Sequence, residues 1–129
     1  MTNPSRPKII AAMPAYNEES HIGTMVLKTK QYVEEVIVVD DGSTDYTYEI
    51  AWATIEFNRR RYPRIKGKVV RHSSNLGKVE AVKTGVNKAL GSIIAVVDAD
   101  SWWKPDTLVR LVDYMLLNGK KAVTGYVHP

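Results

Sequence analysis

Two carboxylates separated by one small residue, Asp98-Ala99-Asp100, directly follow the apolar run at residues 93–97. The run is typical of a buried strand, and residues i and i+2 of an extended segment point the same way. Asp98 and Asp100 can therefore face one point, where a divalent cation such as Mg²⁺ or Mn²⁺ would offset their mutual repulsion. The alternative is a pair of acidic loop residues that cap the next helix.

A second pair of acids, Asp40 and Asp41, ends the β-branched run at residues 36–39 and precedes Gly42-Ser43. A turn and a helix cap explain Gly42 and Ser43, but they do not require two adjacent acids. A carboxylate at this position can accept a hydrogen bond from the imide or amide N–H of a nucleobase. The pair is therefore a candidate for base recognition.

The loop at residues 14–18 follows the first apolar run of the chain. Because Pro14 cannot donate to a central ladder, we expect the first strand to stop before it. Tyr16 offers an aromatic face on which a base could stack, and Asn17 and Glu18 could fix the loop or contact a ribose. Simple strand termination is the alternative.

The segment Asn75-Leu76-Gly77-Lys78 lies at the start of a predicted helix. Free backbone N–H groups and the helix dipole favour an anion there, and Lys78 adds a positive charge. The segment is not a P-loop, because the pattern G-x-x-x-x-G-K-[ST] is absent. A plain surface lysine is the alternative for Lys78.

Strands and helices must position these motifs, and they alternate along the chain. Apolar runs predict strands at residues 8–13, 36–39, 68–71 and 93–97, with a fifth beginning at 122–124. Helical spacing predicts helices over residues 20–33, from 44 or 45 onward, over 76–90 and over 105–118. The alternation predicts an α/β fold with a mostly parallel sheet flanked by helices. All four motifs then lie at the carboxyl ends of strands, where such sheets bind ligands.

The predicted helices carry apolar faces that should pack on the sheet. The first helix should bury Ile22, Met25, Val26, Thr29 and Val33, and the second Tyr46, Ile50, Ala53 and Phe57. The third should bury Val79, Val82, Val86 and Ala89, and the fourth Leu108, Leu111, Val112, Met115 and Leu116.

The composition is that of an ordinary globular domain, with 129 residues, 44% hydrophobic and 25% charged. A net charge of +4 fits a phosphate-rich ligand without requiring one, and the absence of Cys excludes thiolate chemistry. Six basic residues at positions 59–68 are interpreted as a solvated helix end, with an anionic lipid surface as the alternative and a nucleic-acid site disfavoured. Residues 1–7 should form a flexible arm, and His21, His72 and His128 should lie on the surface or in loops.

Taken in order and spacing, the motifs resemble family 2 glycosyltransferases of the GT-A fold. They are residues 14–18, residues 38–45, residues 75–78 with Gly85, and residues 98–100 with Pro105-Asp106. The resemblance covers the chain after residue 7, but only the N-terminal, nucleotide-sugar-binding half of the family's usual catalytic domain. We therefore expect residues 8–129 to form that part of a GT-A domain, truncated after the fifth strand. Val79-Glu80 departs from the small residues that the family more often has there.

The resemblance implies inverting transfer of a sugar from a UDP- or GDP-sugar to a lipid-phosphate or saccharide acceptor. Asp41 would hold the base, Asp98 would reach the ribose or the ion, and Asp100 would ligate Mg²⁺ or Mn²⁺ on the diphosphate. The nucleotide-sugar site would comprise Pro14, Ala15, Tyr16, Asn17, Glu18, Asp41, Gly77, Lys78, Asp98 and Ala99, and the metal ligands would be Asp98 and Asp100. The general base is expected downstream of Pro129, so no catalytic residue is assigned.

The expected partners are the nucleotide-diphosphate-sugar donor and the acceptor, and not nucleic acid. Exposed apolar surface would favour a homo-oligomer, and the full-length parent would be cytoplasmic or associated with the cytoplasmic face of a membrane. One alternative is an isolated, non-catalytic nucleotide-binding module that lacks the base. A phosphoacceptor signalling domain would need its acid pair after strand one, and a sugar nucleotidyltransferase would need a Gly-rich, Arg-containing loop there.

Overall fold

The fold is a four-stranded parallel sheet covered by helices. The computed structural model describes residues 8–61, 66–89, 93–100 and 105–119. Along the chain the elements are β1 (Ile9–Ala15), α1 (Ile22–Thr29), β2 (Glu35–Asp40), α2 (Thr47–Arg61), β3 (Gly67–Arg71), α3 (Lys78–Lys88), β4 (Ile93–Val96) and α4 (Pro105–Asn118). The strand order is β3-β2-β1-β4 with every pairing parallel, which confirms the predicted α/β class. The predicted fifth strand at 122–124 and the arm at 1–7 lie outside the described residues.

Strand β1 runs through Pro14 to Ala15, so the prediction that Pro14 ends the strand is wrong. Alternate residues of a parallel strand bond to opposite neighbours, and Ala15 accepts a hydrogen bond from Asp41 on the β2 side. The nitrogen of Pro14 therefore faces the β4 side, where the paired register has already ended at Ala12. The missing N–H of proline removes no ladder hydrogen bond at this point.

Helix α2 buries a face shifted from the predicted one: Ile50 packs against the core as predicted, but Ala53 is exposed. Thr47, Ala51 and Ile55 are at most 1% exposed, whereas Tyr46 and Phe57 are 69% and 60% exposed. The buried residues and the predicted residues of α2 both have helical spacing, and the predicted set contains the larger side chains. The smaller Thr47 and Ala51 pack instead, because they allow the helix axis to come close to the sheet.

Helix α3 shows the same effect on the opposite face of the sheet. Ala81 and Gly85 are its buried residues, whereas Val79 and Val86, which were predicted to be buried, are 68% and 38% exposed. A Cβ atom on Gly85 would lie 2.9 Å from the Cβ of Ala12. The helix therefore rests directly on β1, and this brings its N-terminal residues to the ligand edge.

The faces of α1 and α4 were predicted more accurately. The buried residues of α1 are Ile22, Met25, Val26 and Thr29, all of them predicted, although the helix ends at Thr29 and does not reach residue 33. In α4, Leu108 and Val112 are buried, but Leu116 is 47% exposed. Gly119, with a φ of +61°, follows the end of α4 as its sequence predicted.

Two apolar clusters fill the layers on either side of the sheet. The larger contains side chains of β1, β2 and β4 with those of α1, α2 and α4, and the smaller contains Ile10, Ile37, Val39 and Ala81 under α3. The central strands β1 and β2 are buried along their whole length. This rigid pair holds the loops that follow it. Within the described part of the chain, no helix has the length and apolar character needed to cross a membrane.

Candidate functional site

A pocket of about 270 Å³ opens at the carboxyl end of the sheet. Its walls come from the loops after β1, β2 and β4 and from the first turns of α3. The residues that line it are Pro14, Ala15, Tyr16, Glu18, Asp41, Lys78, Ala81, Asp98, Ala99 and Asp100. Nine of these were predicted as site residues from the sequence, and Ala81 was not. Ala81 was missed because an alanine on a helix carries no chemical signal.

The loop at 14–18 is fastened to the loop that follows β2. The amide of Asn17 donates to the hydroxyl of Ser43 at 2.9 Å, and its side-chain oxygen accepts from the amide of Thr44 at 2.9 Å. The amide of Glu18 donates to the hydroxyl of Thr47 at 2.8 Å. Asn17 adopts a left-handed φ of +51°, which asparagine tolerates better than most residues. Asn17 therefore fixes the loop and is not among the lining residues.

This fastening leaves Tyr16 and Glu18 facing the pocket. Tyr16 is 45% exposed, so its ring is available to a ligand. The Glu18 carboxylate lies 3.1 Å from Nδ1 of His21, at the start of α1. The two side chains thus border the pocket on its β1 side, as the sequence predicted.

Asp40, the first acid of the pair, is a structural residue. It is fully buried, and its Oδ1 accepts a hydrogen bond from the amide of Ser43 at 3.2 Å. Nε of Arg71 lies 3.4 Å from its Oδ2, and the Arg71 guanidinium stacks over the ring of Tyr48 at 4.8 Å. The Asp40 carboxylate therefore stabilises the turn after β2, and the Arg71 guanidinium of β3 balances its charge.

Asp41, the second acid, organises the loop that precedes α3. Its Oδ1 accepts from the amide of Leu76 at 2.9 Å and contacts Nδ1 of His72 at 2.8 Å. Its Oδ2 accepts from the amide of Gly77 at 3.0 Å. Burial by itself would raise the pKa of Asp41, but these hydrogen bonds and the nearby His72 outweigh it and lower that pKa. Asp41 is therefore an ionised carboxylate with a fixed orientation.

Gly77 was predicted to bind the nucleotide sugar, but in the structure its backbone contacts Asp41 instead. Its φ of +98° turns its amide onto Asp41, and it is not among the residues that line the pocket. A side chain at that φ is strained, so glycine suits the turn. Gly77 supports the site through its backbone.

His72 lies in the loop after β3, which agrees with the prediction of a surface or loop position, but the sequence analysis did not predict that it belongs to the site. Its side chain is only 10% exposed, and its ring lies between Asp41 and Thr84, with Nε2 2.8 Å from the Thr84 hydroxyl. The contact between His72 and Asp41 joins residues 31 apart in sequence, so no local sequence pattern predicts it. Its position directly after β3, beside the end of β2, was the available signal.

Asp98 and Asp100 line the same pocket as Asp41. Oδ1 of Asp98 is 2.7 Å from Nζ of Lys78, and Asp100 is exposed. Within the described ranges, no cluster of three or more His, Cys, Asp or Glu side chains is arranged to hold a metal ion. Two carboxylates fit Mg²⁺ or Mn²⁺ when a ligand's phosphate oxygens complete the shell. Trp102 and Trp103, which follow the acidic pair closely in the sequence, and His128 lie outside the described residues.

Comparisons with known proteins identify the family to which the chain belongs. The profile of Glycosyl transferase family 2 matches residues 10–128. A UDP-N-acetylglucosamine–dolichyl-phosphate N-acetylglucosaminyltransferase of Methanococcus voltae is 35% identical over 128 residues, 91% of this chain and 51% of that protein. The chain thus spans about half the length of this curated relative.

Two solved structures resemble the fold. A mannosyltransferase from Pyrobaculum calidifontis, in complex with GDP-Man and Mn²⁺, superposes with a TM-score of 0.72 and 30% identity over 87% of this chain and 33% of its own. Glucosyl-3-phosphoglycerate synthase from Mycobacterium tuberculosis, bound to Mn²⁺, UDP and glucosyl-3-phosphoglycerate, gives 0.69 and 27% over 85% and 40%. The sheet order, the pocket at its carboxyl edge and these matches agree, and the chain belongs to glycosyl transferase family 2, with a GT-A fold.

Proposed function

We propose that this chain binds a UDP- or GDP-sugar together with a divalent cation, as the donor-binding part of an inverting glycosyltransferase. The observation that carries the proposal is the pocket, which brings Asp41, Lys78, Asp98 and Asp100 together in a family 2 chain. A base-binding acid, a cation and a pair of metal-binding acids are what a nucleotide diphosphate requires.

Asp41 would receive the N–H of the base. A carboxylate has about four acceptor sites, and protein donors use two on Oδ1 and one on Oδ2. The remaining site on Oδ2 can accept the imide N–H of uracil or the N1–H of guanine. Tyr16, which is exposed in the same pocket, would stack on the base. The loop around it would wrap the nucleoside, with Glu18 near the ribose.

Asp98 and Asp100 would hold Mg²⁺ or Mn²⁺ against the diphosphate, with Asp98 also in reach of the ribose. A bound cation of this kind stabilises the negative charge that develops on a departing nucleoside diphosphate. Lys78, at the N-terminus of α3, would add a second positive charge beside the phosphates. The two solved relatives named above, which contain Mn²⁺ with GDP-Man or UDP, support this assignment.

The acceptor would be a lipid phosphate or a saccharide. The Methanococcus voltae relative, named as acting on dolichyl phosphate, supports the first of these. The general base would come from sequence outside these 129 residues. In the full-length parent we expect a location in the cytoplasm or at the cytoplasmic face of a membrane, and apolar side chains such as Val96 of β4, 48% exposed, would favour self-association.

Calorimetry with UDP and GDP tests the proposal. We expect one of the two to bind in the presence of Mn²⁺ and to bind much more weakly in chelator, because Asp98 and Asp100 share the ion with the phosphates. Asp41→Ala should cost about 1.5–3 kcal/mol of binding free energy, the effect of a hydrogen bond to a charged group. Equal affinity with and without metal would contradict the metal assignment. A folded Asp41→Ala variant that binds normally would leave Asp41 as a loop-forming residue only.

A further inference from the structure

His72 lies between two elements that build the pocket. It follows β3 directly, and its amide donates to the carbonyl of Asp40 at 2.9 Å. One ring nitrogen contacts Asp41, and the other contacts Thr84 of α3, each at 2.8 Å. The ring thus connects the carboxylate after β2 to the helix that supplies Lys78 and Ala81 to the pocket wall.

The hydrogen positions on this ring follow from its partners. An ionised carboxylate only accepts hydrogen bonds, so Nδ1 of His72 must carry a hydrogen that points at Asp41. The low pKa of Asp41 is consistent with this. Thr84 places no restriction on the charge of the ring, because a hydroxyl both donates and accepts. Its oxygen also lies 3.0 Å from the carbonyl of Glu80, so its hydrogen can go there or to Nε2.

Both charge states of His72 therefore keep the hydrogen bond to Asp41. In the imidazolium, Nε2 donates to Thr84, and Thr84 donates to Glu80. In the neutral ring, Thr84 donates to Nε2. In either state Nδ1–H occupies a site on Oδ1 and leaves the open site on Oδ2, which is where the base N–H would bind.

We propose that His72 is a positioning residue for base selection: its Nδ1–H, braced by Thr84, holds the Asp41 carboxylate so that only Oδ2 is presented to the nucleobase. This inference rests on the proposed function of Asp41. It extends that function by assigning the base preference to a residue that need not touch the nucleotide. The relevant ligand class is a nucleoside diphosphate whose base carries a ring N–H, such as UDP or GDP.

The test is a comparison of base discrimination in variants of the chain. Wild type should bind UDP more tightly than CDP, or GDP more tightly than ADP, because cytosine and adenine have a ring acceptor where uracil and guanine have N–H. His72→Ala should weaken the preferred nucleotide about tenfold, the effect of one hydrogen bond to a charged group, and change the other little. His72→Asn should restore most of the discrimination, since its amide nitrogen can take the place of Nδ1. His72→Gln, whose amide lies nearer to the Nε2 position, should not.

Each outcome decides a different point. If wild type binds neither UDP nor GDP, the proposed function fails, and the positioning role fails with it. If His72→Ala binds and discriminates like wild type, the proposed function stands and the positioning role is wrong. An equal loss for both nucleotides of a pair would show a general collapse of the pocket and would also overturn it.

A measurement on the unmodified chain covers the case in which the His72 variants do not fold. Long-range ¹H–¹⁵N NMR distinguishes the two ring nitrogens and reports which of them carries a hydrogen. We expect a hydrogen on Nδ1 of His72 at every pH at which Asp41 is ionised. A neutral ring protonated only at Nε2 would overturn the proposal.

Discussion

The ammonium group of Lys78 lies 2.7 Å from Oδ1 of Asp98, so a cation of the chain itself occupies one of the two proposed metal-binding carboxylates. Both side chains line the pocket. The Lys78 side chain is 66% exposed and that of Asp98 is 35% exposed, so the lysine can move from Asp98 into water without burying its own charge. Lys78 and a divalent cation therefore compete for Asp98, whereas a diphosphate would attract both.

Lys78→Met should separate these two effects. Without nucleotide, the affinity for Mn²⁺ should rise by up to about fivefold, because an exposed ion pair is worth about 0.2–1 kcal/mol. With Mn²⁺ present, the affinity for UDP or GDP should fall, because the phosphates lose a positive partner. Electron paramagnetic resonance of free Mn²⁺ measures the first change, and calorimetry measures the second.

Lys83→Met is the matched control for Lys78→Met. Lys83 lies on the same helix, its side chain is 64% exposed, and it pairs with Glu80 at 3.3 Å away from the pocket. It should change neither affinity. A decrease in Mn²⁺ affinity in Lys78→Met would show that the lysine does not compete with the metal.

The sheet edge of this site could be predicted from the sequence, since it follows from simple rules. A parallel sheet gathers the segments after its strands, so Tyr16, Asp41 and Asp98 were expected together, and they line one pocket. The buried faces of the helices were harder to predict, because hydrophobic spacing does not indicate how closely a helix packs on the sheet. In α3 the deciding residue is Gly85, whose lack of a side chain lets the helix touch Ala12.

The contact between His72 and Asp41 shows a second limit of sequence reasoning. It depends on β3 lying beside β2, and strand order is a tertiary property that no single residue encodes. A histidine after a strand carries no periodic signal that would separate a buried ring from a surface one. Once the strand order is known, the two residues must be neighbours, since both follow adjacent parallel strands.

Gly42→Ala should destabilise the chain through the loop that holds Asp41. Gly42 has a φ of +71°, and a Cβ there would lie 2.3 Å from the carbonyl carbon of Ser74. Backbone strain costs about 1–2 kcal/mol, and the clash with the main chain adds to it, so we expect a loss of at least about 2 kcal/mol. Urea unfolding measures the loss, and nucleotide affinity should fall with it, because the 74–77 loop must move.

Gly23→Ala is the control for this effect. Gly23 lies in α1, and a Cβ there would meet Ile50 and Thr54 at 3.4 Å, an ordinary contact. Its free energy of unfolding should stay the same or rise by up to about 1 kcal/mol, because alanine favours a helix. If the two substitutions destabilise the chain equally, the close approach of Gly42 to Ser74 is not the cause of the effect at Gly42.

Asp41 should also contribute to acid sensitivity. Its pKa is lowered in the fold, so its stabilising contribution is present above the unfolded-state pKa of about 3.9 and is lost as pH falls through the lower folded value. Asp41→Asn should therefore be less stable than wild type at pH 7, but should lose less stability on acidification. Urea unfolding at a series of pH values measures this.

Asp45 gives an independent check of the same sign. Burial would raise its pKa, but hydrogen bonds from the hydroxyl and amide of Thr47 and from the amide of Glu19 lower it overall. Asp45→Asn should likewise reduce the loss of unfolding free energy as the pH falls. If both variants lose as much unfolding free energy on acidification as wild type does, these two carboxylates do not have the proposed role.

These residues and the rest of a family 2 enzyme should contribute different steps, donor binding and transfer to the acceptor. Under the proposed function the pocket would supply contacts for base, diphosphate and metal, and within the described part of the chain its lining residues lie at or before Asp100. Donor binding should therefore occur in this chain alone. Transfer to an acceptor also requires a positioned general base, typically worth about 10²–10⁴-fold, and a surface that orients the acceptor.

We therefore expect the 129-residue chain to bind UDP or GDP with Mn²⁺ and to transfer little or no sugar to a phospholipid or saccharide acceptor. A version extended by about 100 residues of the parent sequence, roughly the size of a further domain, should bind the nucleotide with similar affinity and turn over. Matched affinities are the control, because they show that the two differ in chemistry and not in donor binding. Acceptor-dependent turnover by the shorter chain at the rate of the longer one would place the base within these residues. The acidic side chains of the pocket would then have to be reconsidered as its source. Glu18 comes first, because among the described lining residues it is the acid without a proposed contact to the base or the metal.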